Sequence, residues 1–290
     1  MQAKNTICQN ISCNSKARQR CLLKDPIGMI IFFMGLIMFI DSHAHLTSDE
    51  VFPQIDSILI RAKENGIDSI INICTDESTL NRGIELKKKY PWIYNTAATT
   101  PHDAEKEGVV FLPKVAEAAY KKDLVALGET GLDYYYEHSN RAMQQKTLSA
   151  YFELAQSCNL PIIFHCRSAF EDLFAMADEQ YKSCKALLHC FTGSLAEAKG
   201  VLDRGWSISF SGIITFKKSD ALREIVTYVP LDRIFIETDT PYLAPQSKRG
   251  SVNEPSFITE TAEVLAGLKK VPIEEIGKQT SLNAVKFFSF

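Results

Sequence analysis

The sequence predicts a single (β/α)8 barrel of the α/β class, and three observations carry that prediction. From Met38 onward, short apolar β-prone runs alternate with amphipathic stretches, the pattern of repeated βα units around a parallel sheet. Eight such runs occur before the C-terminus. Five of them stop at a histidine or a carboxylate: Ile40-Asp41-Ser42-His43-Ala44-His45, Val125-Ala126-Leu127-Gly128-Glu129, Ile162-Ile163-Phe164-His165, Ala186-Leu187-Leu188-His189 and Ile234-Phe235-Ile236-Glu237-Thr238-Asp239. Parallel strands bring their C-terminal ends to one rim, and that rim is where barrel active sites lie.

In chain order the expected strands lie near Phe39–Ser42, Ser69–Cys74, Ile93–Ala98, Leu124–Leu127, Pro161–Phe164, Ala186–Leu188, Trp206–Phe210 and Ile234–Ile236. The segments between them, Gln54–Glu64, Ser78–Tyr90, Phe111–Tyr120, Ala142–Ser157, Ala169–Tyr181, Leu195–Asp203 and Asp220–Tyr228, mostly carry apolar residues at helical spacing. Two more helices are expected at the end, Ser256–Gly267 and Ile273–Phe288. Gly66, Asn159 and Gly205 sit just past helical stretches, where left-handed capping residues belong. No long linker, low-complexity tract or repeat interrupts the chain after residue 38.

A chain of 290 residues with 46% hydrophobic and 23% charged residues is an ordinary globular composition. A β/α barrel takes about 250 residues as one unit. The net charge of −3 speaks against a generally basic nucleic-acid binder and leaves room for a local basic patch. The eight cysteines form no CxxC pair or finger motif. Small buried thiols in a reducing cytoplasm are the favoured reading over disulfides.

The first forty residues need separate treatment. Residues 1–26 are polar, with Lys4, Lys16, Arg18, Arg20 and Lys24, and the apolar run Ile27 to Ile40 follows. A signal peptide has the same order of basic and apolar regions, so a targeting segment is one reading. Against it, the run falls short of the roughly 20 residues of a transmembrane helix. It also flows into Asp41-Ser42-His43 without a small-residue cleavage site. The favoured division is a disordered or misannotated leader over 1–37 and a barrel domain over 38–290, with Met38 as a candidate start.

The strand ends define the chemistry. His43 and His45 are one residue apart, so strand alternation sends both side chains the same way and lets them chelate one ion. A histidine-x-histidine pair alone is more often a solvated loop, and its position at a strand end after Asp41 favours the ligand reading. Glu129 alone is equally a helix cap or ion-pair partner, and His165 or His189 alone is more often a hydrogen-bonded core residue. Together, with Asp239 on the eighth run, they make a nitrogen and oxygen donor set that suits zinc, manganese, iron or nickel without choosing among them. One bridging carboxylate would hold two ions about 3.5–4 Å apart and support metal-assisted hydrolysis of a phosphoester.

These residues stand in segments that resemble the TatD family of metal-dependent deoxyribonucleases, a branch of the amidohydrolase-like barrels. The matching stretches are Phe39-Ile40-Asp41-Ser42-His43-Ala44-His45-Leu46, Gly128-Glu129-Thr130-Gly131-Leu132-Asp133-Tyr134, His165-Cys166-Arg167, His189-Cys190-Phe191-Thr192-Gly193 and Glu237-Thr238-Asp239-Thr240-Pro241-Tyr242-Leu243-Ala244-Pro245. Arg249-Gly250 and Asn253-Glu254-Pro255 match as well. The resemblance runs in order from Met38 to Phe290.

The resemblance implies two divalent ions, zinc, magnesium or manganese. His43, His45 and Asp239 would hold one, His165 and His189 the other, and Glu129 would bridge them. Asp239 would double as general base, with Glu129 beside it in catalysis. Arg167 would meet a substrate phosphate, since a guanidinium matches phosphate oxygens, with a rim salt bridge as the alternative. His102 would contact substrate. The implied activity is DNA phosphodiester cleavage, 3′ to 5′ on single strands or ends, by a monomeric cytoplasmic enzyme without membrane attachment. The alternative is an ester or amide hydrolase such as a D-aminoacyl-tRNA deacylase.

Two departures from the family pattern stand out. The family's Gly-x-His-Pro stretch reads Ala98-Thr99-Thr100-Pro101-His102 here, so Thr100 replaces the first histidine. Ser251-Val252 stands where basic residues are common, which predicts weaker contact with a nucleic-acid backbone. Tyr134, Tyr135 and Tyr136 suit ordinary rim packing, with a stack for an unpaired base as the alternative. His138 and the runs Lys87-Lys88-Lys89, Lys121-Lys122 and Lys217-Lys218 are expected at the solvated surface.

Overall fold

Strand periodicity from Phe39 onward resolves into eight parallel strands that pair strictly in sequence order. They are β1 (Phe39–Ala44), β2 (Ile67–Cys74), β3 (Ile93–Ala97), β4 (Leu124–Asp133), β5 (Ile162–Arg167), β6 (Ala186–Leu188), β7 (Ser207–Phe210) and β8 (Ile234–Ile236). The computed structural model describes residues 38–290; the leader expected over 1–37 lies outside the described residues. Helices α1 (Ile55–Glu64), α2 (Glu77–Lys89), α3 (Leu112–Tyr120), α4 (Arg141–Cys158), α5 (Phe170–Gln180), α6 (Leu195–Asp203) and α7 (Asp220–Tyr228) connect successive strands. Two more, α8 (Ile258–Lys269) and α9 (Ile273–Phe288), follow β8. This is the (β/α)8 barrel that the periodicity predicts.

The barrel nearly closes. Past the ends of β1 and β8, the Asp239 N–H donates to the His43 carbonyl at 2.9 Å and the His45 N–H donates to the Thr240 carbonyl at 2.8 Å. The seam therefore shuts through four residues, His43, His45, Asp239 and Thr240, three of which are predicted ligands.

Local signals set the helix ends. Asp76 caps α2 and Ser194 caps α6, each in a reciprocal capping box. Asn159 ends α4 in the left-handed conformation, while Gly66 and Gly205 take positive φ just beyond α1 and α6. Two apolar layers then assemble. One fills the space between sheet and helices, and the other lies inside the barrel around Ile40, Ile71, Ile73, Ile163, Leu187 and Phe235. The end of α9 floors the barrel, with Phe287 against Phe235 at 5.5 Å and Phe290 stacked on Tyr94 at 3.8 Å. With this end plugged by aromatic rings, the opposite rim is left for polar groups.

Two strands run further than their apolar residues suggest. The sequence reading ends β4 at Leu127 and β5 at Phe164, whereas the strands continue to Asp133 and Arg167 and pair through Thr130–Phe164 and Asp133–Arg167. Glu129 and Asp133 hide this extension because their side chains belong to the site and not to the core. Gly131 permits it: a Cβ there would sit 1.9 Å from the His165 carbonyl oxygen. Among the described residues the five cysteines are free thiols, and no helix is long and apolar enough to cross a membrane.

Candidate metal centre

The six predicted ligands lie in or shortly after the rim-side parts of five strands, β1, β4, β5, β6 and β8, and the barrel brings them together. His43 closes β1 with His45 two residues on, and their Nε2 atoms stand 3.4 Å apart. Asp239 follows β8 and sends Oδ1 to 3.7 Å from His43 Nε2 and 3.5 Å from His45 Nε2. Across the mouth, His165 Nδ1 and His189 Nε2 are 3.3 Å apart. Glu129 lies between the two groups. Its Oε1 is 3.7 Å from His45 Nε2, and its Oε2 is 3.7 Å from His43 Nε2, 3.9 Å from His165 Nδ1 and 2.6 Å from His189 Nε2.

This arrangement fits a metal centre on geometry alone. Donors about 2.0–2.2 Å from a common tetrahedral centre lie roughly 3.3–3.6 Å from one another. The His43, His45, Asp239 trio spans 3.4–3.7 Å. Glu129, His165 and His189 form a second trio with all donor atoms within 4.8 Å. The His189–Glu129 contact is closer, with Nε2 and Oε2 of the two buried side chains 2.6 Å apart. The set opens on a cleft of about 700 Å³ lined by His45, Glu129, His165, His189 and Asp239.

Crowding imidazoles and carboxylates into a buried rim perturbs His43, His45, Glu129 and His189. Burial, with His189 stacked at 3.9 Å, holds His43 well below the ordinary imidazole range, so it is a neutral lone-pair donor. Burial alone would raise Glu129, but the charge and hydrogen bond of His189 hold it well below the usual carboxylate range. Burial would likewise depress His189, yet Glu129 and Glu237 together push it well above its usual value. His45 is raised against burial by Asp239 and Glu129. Such opposed displacements mark a site built to bind charge.

Behind the donors stand carboxylates that orient them. Asp133 Oδ2 accepts from His165 Nε2 at 2.8 Å, which frees Nδ1 to face Glu129 and His189. Glu237 Oε1 lies 3.5 Å from His189 Nδ1, leaving Nε2 toward the centre. A ligand imidazole backed by a carboxylate has its ring orientation and tautomer set. Asp41 works on the main chain: Oδ1 accepts the N–H groups of His43 and Thr238 at 3.2 and 3.0 Å, and Oδ2 accepts the Thr238 hydroxyl at 2.6 Å. Burial pushes the Asp41 carboxyl up to about 7.

Further out, His102 Nε2 lies 3.7 Å from Asp133 Oδ2 at the cleft wall. Arg167 also lines the cleft, its guanidinium 3.9 Å from the Tyr135 ring centre and 4.6 Å from that of Tyr136. Among the described residues no carboxylate pairs with Arg167, so the rim salt bridge gives way to cation–π contacts. Thr100 lines the same wall and donates its hydroxyl to Asp103 at 3.0 Å.

With the donor set in view, relatives can be weighed. A family model described as TatD related DNase matches residues 40–289. The chain belongs to the TatD family. A metal-dependent hydrolase of Bacillus subtilis, YabD, is 35% identical over 87% of this chain and 99% of its own length. A 3′-5′ ssDNA/RNA exonuclease TatD of Erwinia amylovora is 33% identical over 86% of this chain and 98% of its own. Among solved structures, the TatD homologue YjjV of Escherichia coli superposes with a TM-score of 0.82 at 27% identity, covering 87% of this chain and 98% of that one. A TatD family hydrolase of Entamoeba histolytica gives 0.78 at 27% identity, covering 86% and 97%.

Within this TatD-family hydrolase, sequence reasoning missed the orienting residues. Asp133, Glu237 and Asp41 were visible only as parts of motifs. A signal for two of them was present: Asp133 shares strand parity with Glu129 in β4, and Asp41 with His43 in β1. Thr100 brings a hydroxyl to the cleft wall.

Proposed function

We propose that this chain hydrolyses phosphodiester bonds of single-stranded DNA from the 3′ end, using two divalent ions. The observation that carries this reading is the position of Glu129 within 2.6–3.9 Å of all four ligand histidines. That geometry supports a bridging carboxylate between His43, His45, Asp239 on one side and His165, His189 on the other. Zinc, manganese or magnesium would serve, since a mixed nitrogen and oxygen set does not single out one ion. When bound, such ions supply Lewis-acid polarisation of the phosphoester and lower the pKa of water.

The chain's own residues do the rest. Asp239 reaches the cleft and accepts the proton from the attacking water. Arg167, kept free of carboxylate partners and steadied on tyrosine rings, presents its guanidinium to a phosphate. His102 borders the same space and donates to a substrate oxygen through Nε2. The name carried by the Erwinia amylovora relative supports the choice of nucleic acid and of polarity.

The test is a purified preparation supplied with each ion in turn and 5′-labelled single-stranded DNA. Stepwise shortening from the 3′ end is expected. Glu129→Gln and Asp239→Asn, which keep shape and remove charge, should each slow it by at least about 100-fold. Absence of cleavage with every ion would sink the reading. Turnover of a D-aminoacyl-tRNA ester by the same preparation, with DNA left intact, would move the assignment to the ester-hydrolase alternative.

A further inference from the structure

Beyond the donor set, the rim carries a cluster of rings whose position the barrel alone does not demand. Tyr134, Tyr135 and Tyr136 follow β4, and they divide in role. Tyr134 packs inward, its hydroxyl donating to Asp172 at 2.7 Å. Tyr135 and Tyr136 stay exposed, and Tyr136 lines the cleft. Tyr136 is fixed in a network of rings. His138 stacks parallel to it at 5.5 Å, Tyr135 meets it edge-on at 5.0 Å and His102 meets it edge-on at 5.7 Å.

The link between these rings and the chemistry is one carboxylate. Asp133 Oδ1 accepts the N–H groups of Tyr135 and Tyr136 at 3.0 and 2.8 Å, bending the chain into a side-chain-capped turn. The other oxygen of the same group holds His165. The rings are therefore at a set distance from the ligands. Arg167 completes the arrangement by laying its guanidinium against Tyr135 and Tyr136, so a π surface and a phosphate-binding group occur side by side.

We infer that Tyr136, braced by His102 and His138, is a stacking shelf for an unpaired nucleobase next to the phosphate under attack. This rests on the nucleic-acid reading above and adds to it a specificity-determining residue. Aromatic faces bind bases with little sequence preference. Bases inside a duplex are already stacked and reach such a shelf only after extrusion, so the shelf favours single strands and frayed ends.

The experiment compares single-stranded oligodeoxynucleotides that end in thymidine with others carrying 5,6-dihydrothymidine at the last or penultimate position. Saturation puckers that ring and removes its stacking face while keeping its hydrogen-bonding groups. The wild type should prefer thymidine at one of these positions by about tenfold in kcat/KM. Tyr136→Ala should bring that ratio close to one, and Tyr136→Phe should retain it, since the ring and not the hydroxyl does the stacking. A Tyr136→Ala ratio equal to the wild-type ratio would overturn the shelf, as would equal slowing on both substrates. A wild type that cleaves neither substrate defeats the nucleic-acid reading itself, and the shelf falls with it.

Discussion

The donor set has two halves that are held in place by different means. On the β1–β8 side, His43, His45 and Asp239 are tied through the main chain, by the two hydrogen bonds that close the barrel and by Asp41 beneath them. Asp239 itself sits in the left-handed region at φ 59°, a conformation aspartate tolerates better than most residues. On the β4–β6 side, the imidazoles of His165 and His189 are aimed by single carboxylates, Asp133 and Glu237. One half inherits its geometry from closure of the sheet. The other depends on individual side chains, and the stacked rings of His43 and His189 join them.

That contrast can be broken by mutation. Asp41→Ala should do the most damage, because it strands the buried N–H groups of His43 and Thr238 at the seam. A loss of about 3 kcal/mol in unfolding free energy is expected, read from urea midpoints, together with weaker binding at the β1–β8 half. An unaltered midpoint would mean that the main-chain hydrogen bonds hold the seam alone.

Asp133→Asn and Glu237→Gln come next. On the proposed two-ion reading, each should weaken one ion by about 10–100-fold and leave the other in place, so elemental analysis after mild chelation would find closer to one ion per chain than two. Equal loss of both ions would show that the halves are not independent. The smallest effect is expected at Arg61, whose guanidinium grips Glu254 at 2.6–3.0 Å beside the loop that follows β8. Arg61→Ala should cost about 0.5–1 kcal/mol. Burial would raise the Glu254 carboxyl, but the Arg61 hydrogen bond outweighs it and holds it below its ordinary value. The contribution is therefore present above the unfolded carboxylate value of about 4.3 and fades as pH falls beneath it. Wild-type and variant stabilities should converge in acid, and a gap independent of pH would remove the ion pair from the account.

Much of this was legible in the chain. Short, near-continuous apolar runs mark most of the strands because inward and outward side chains both face apolar layers. His43, His45, Glu129, His165, His189 and Asp239 stand out because a polar residue at the end of such a run has left the core. The extension of β4 was not legible, since Glu129, Thr130 and Asp133 break the apolar pattern while remaining buried. Nor was the split among the tyrosines: packing was the favoured reading for all three, and it holds for Tyr134 while Tyr135 and Tyr136 face outward.

Sequence by itself pointed to the barrel, the family and the six candidate donors, because periodicity and residue type are local properties that survive without coordinates. Only the tertiary structure decided which nitrogen of each histidine faces the centre, which carboxylate turns it there, and that Tyr136 and Arg167 share one edge of the cleft. Those facts depend on side chains that meet from strands far apart in the chain, as Asp41 meets Thr238 across 197 positions. Such a meeting exists only once the sheet has curled until β1 lies beside β8.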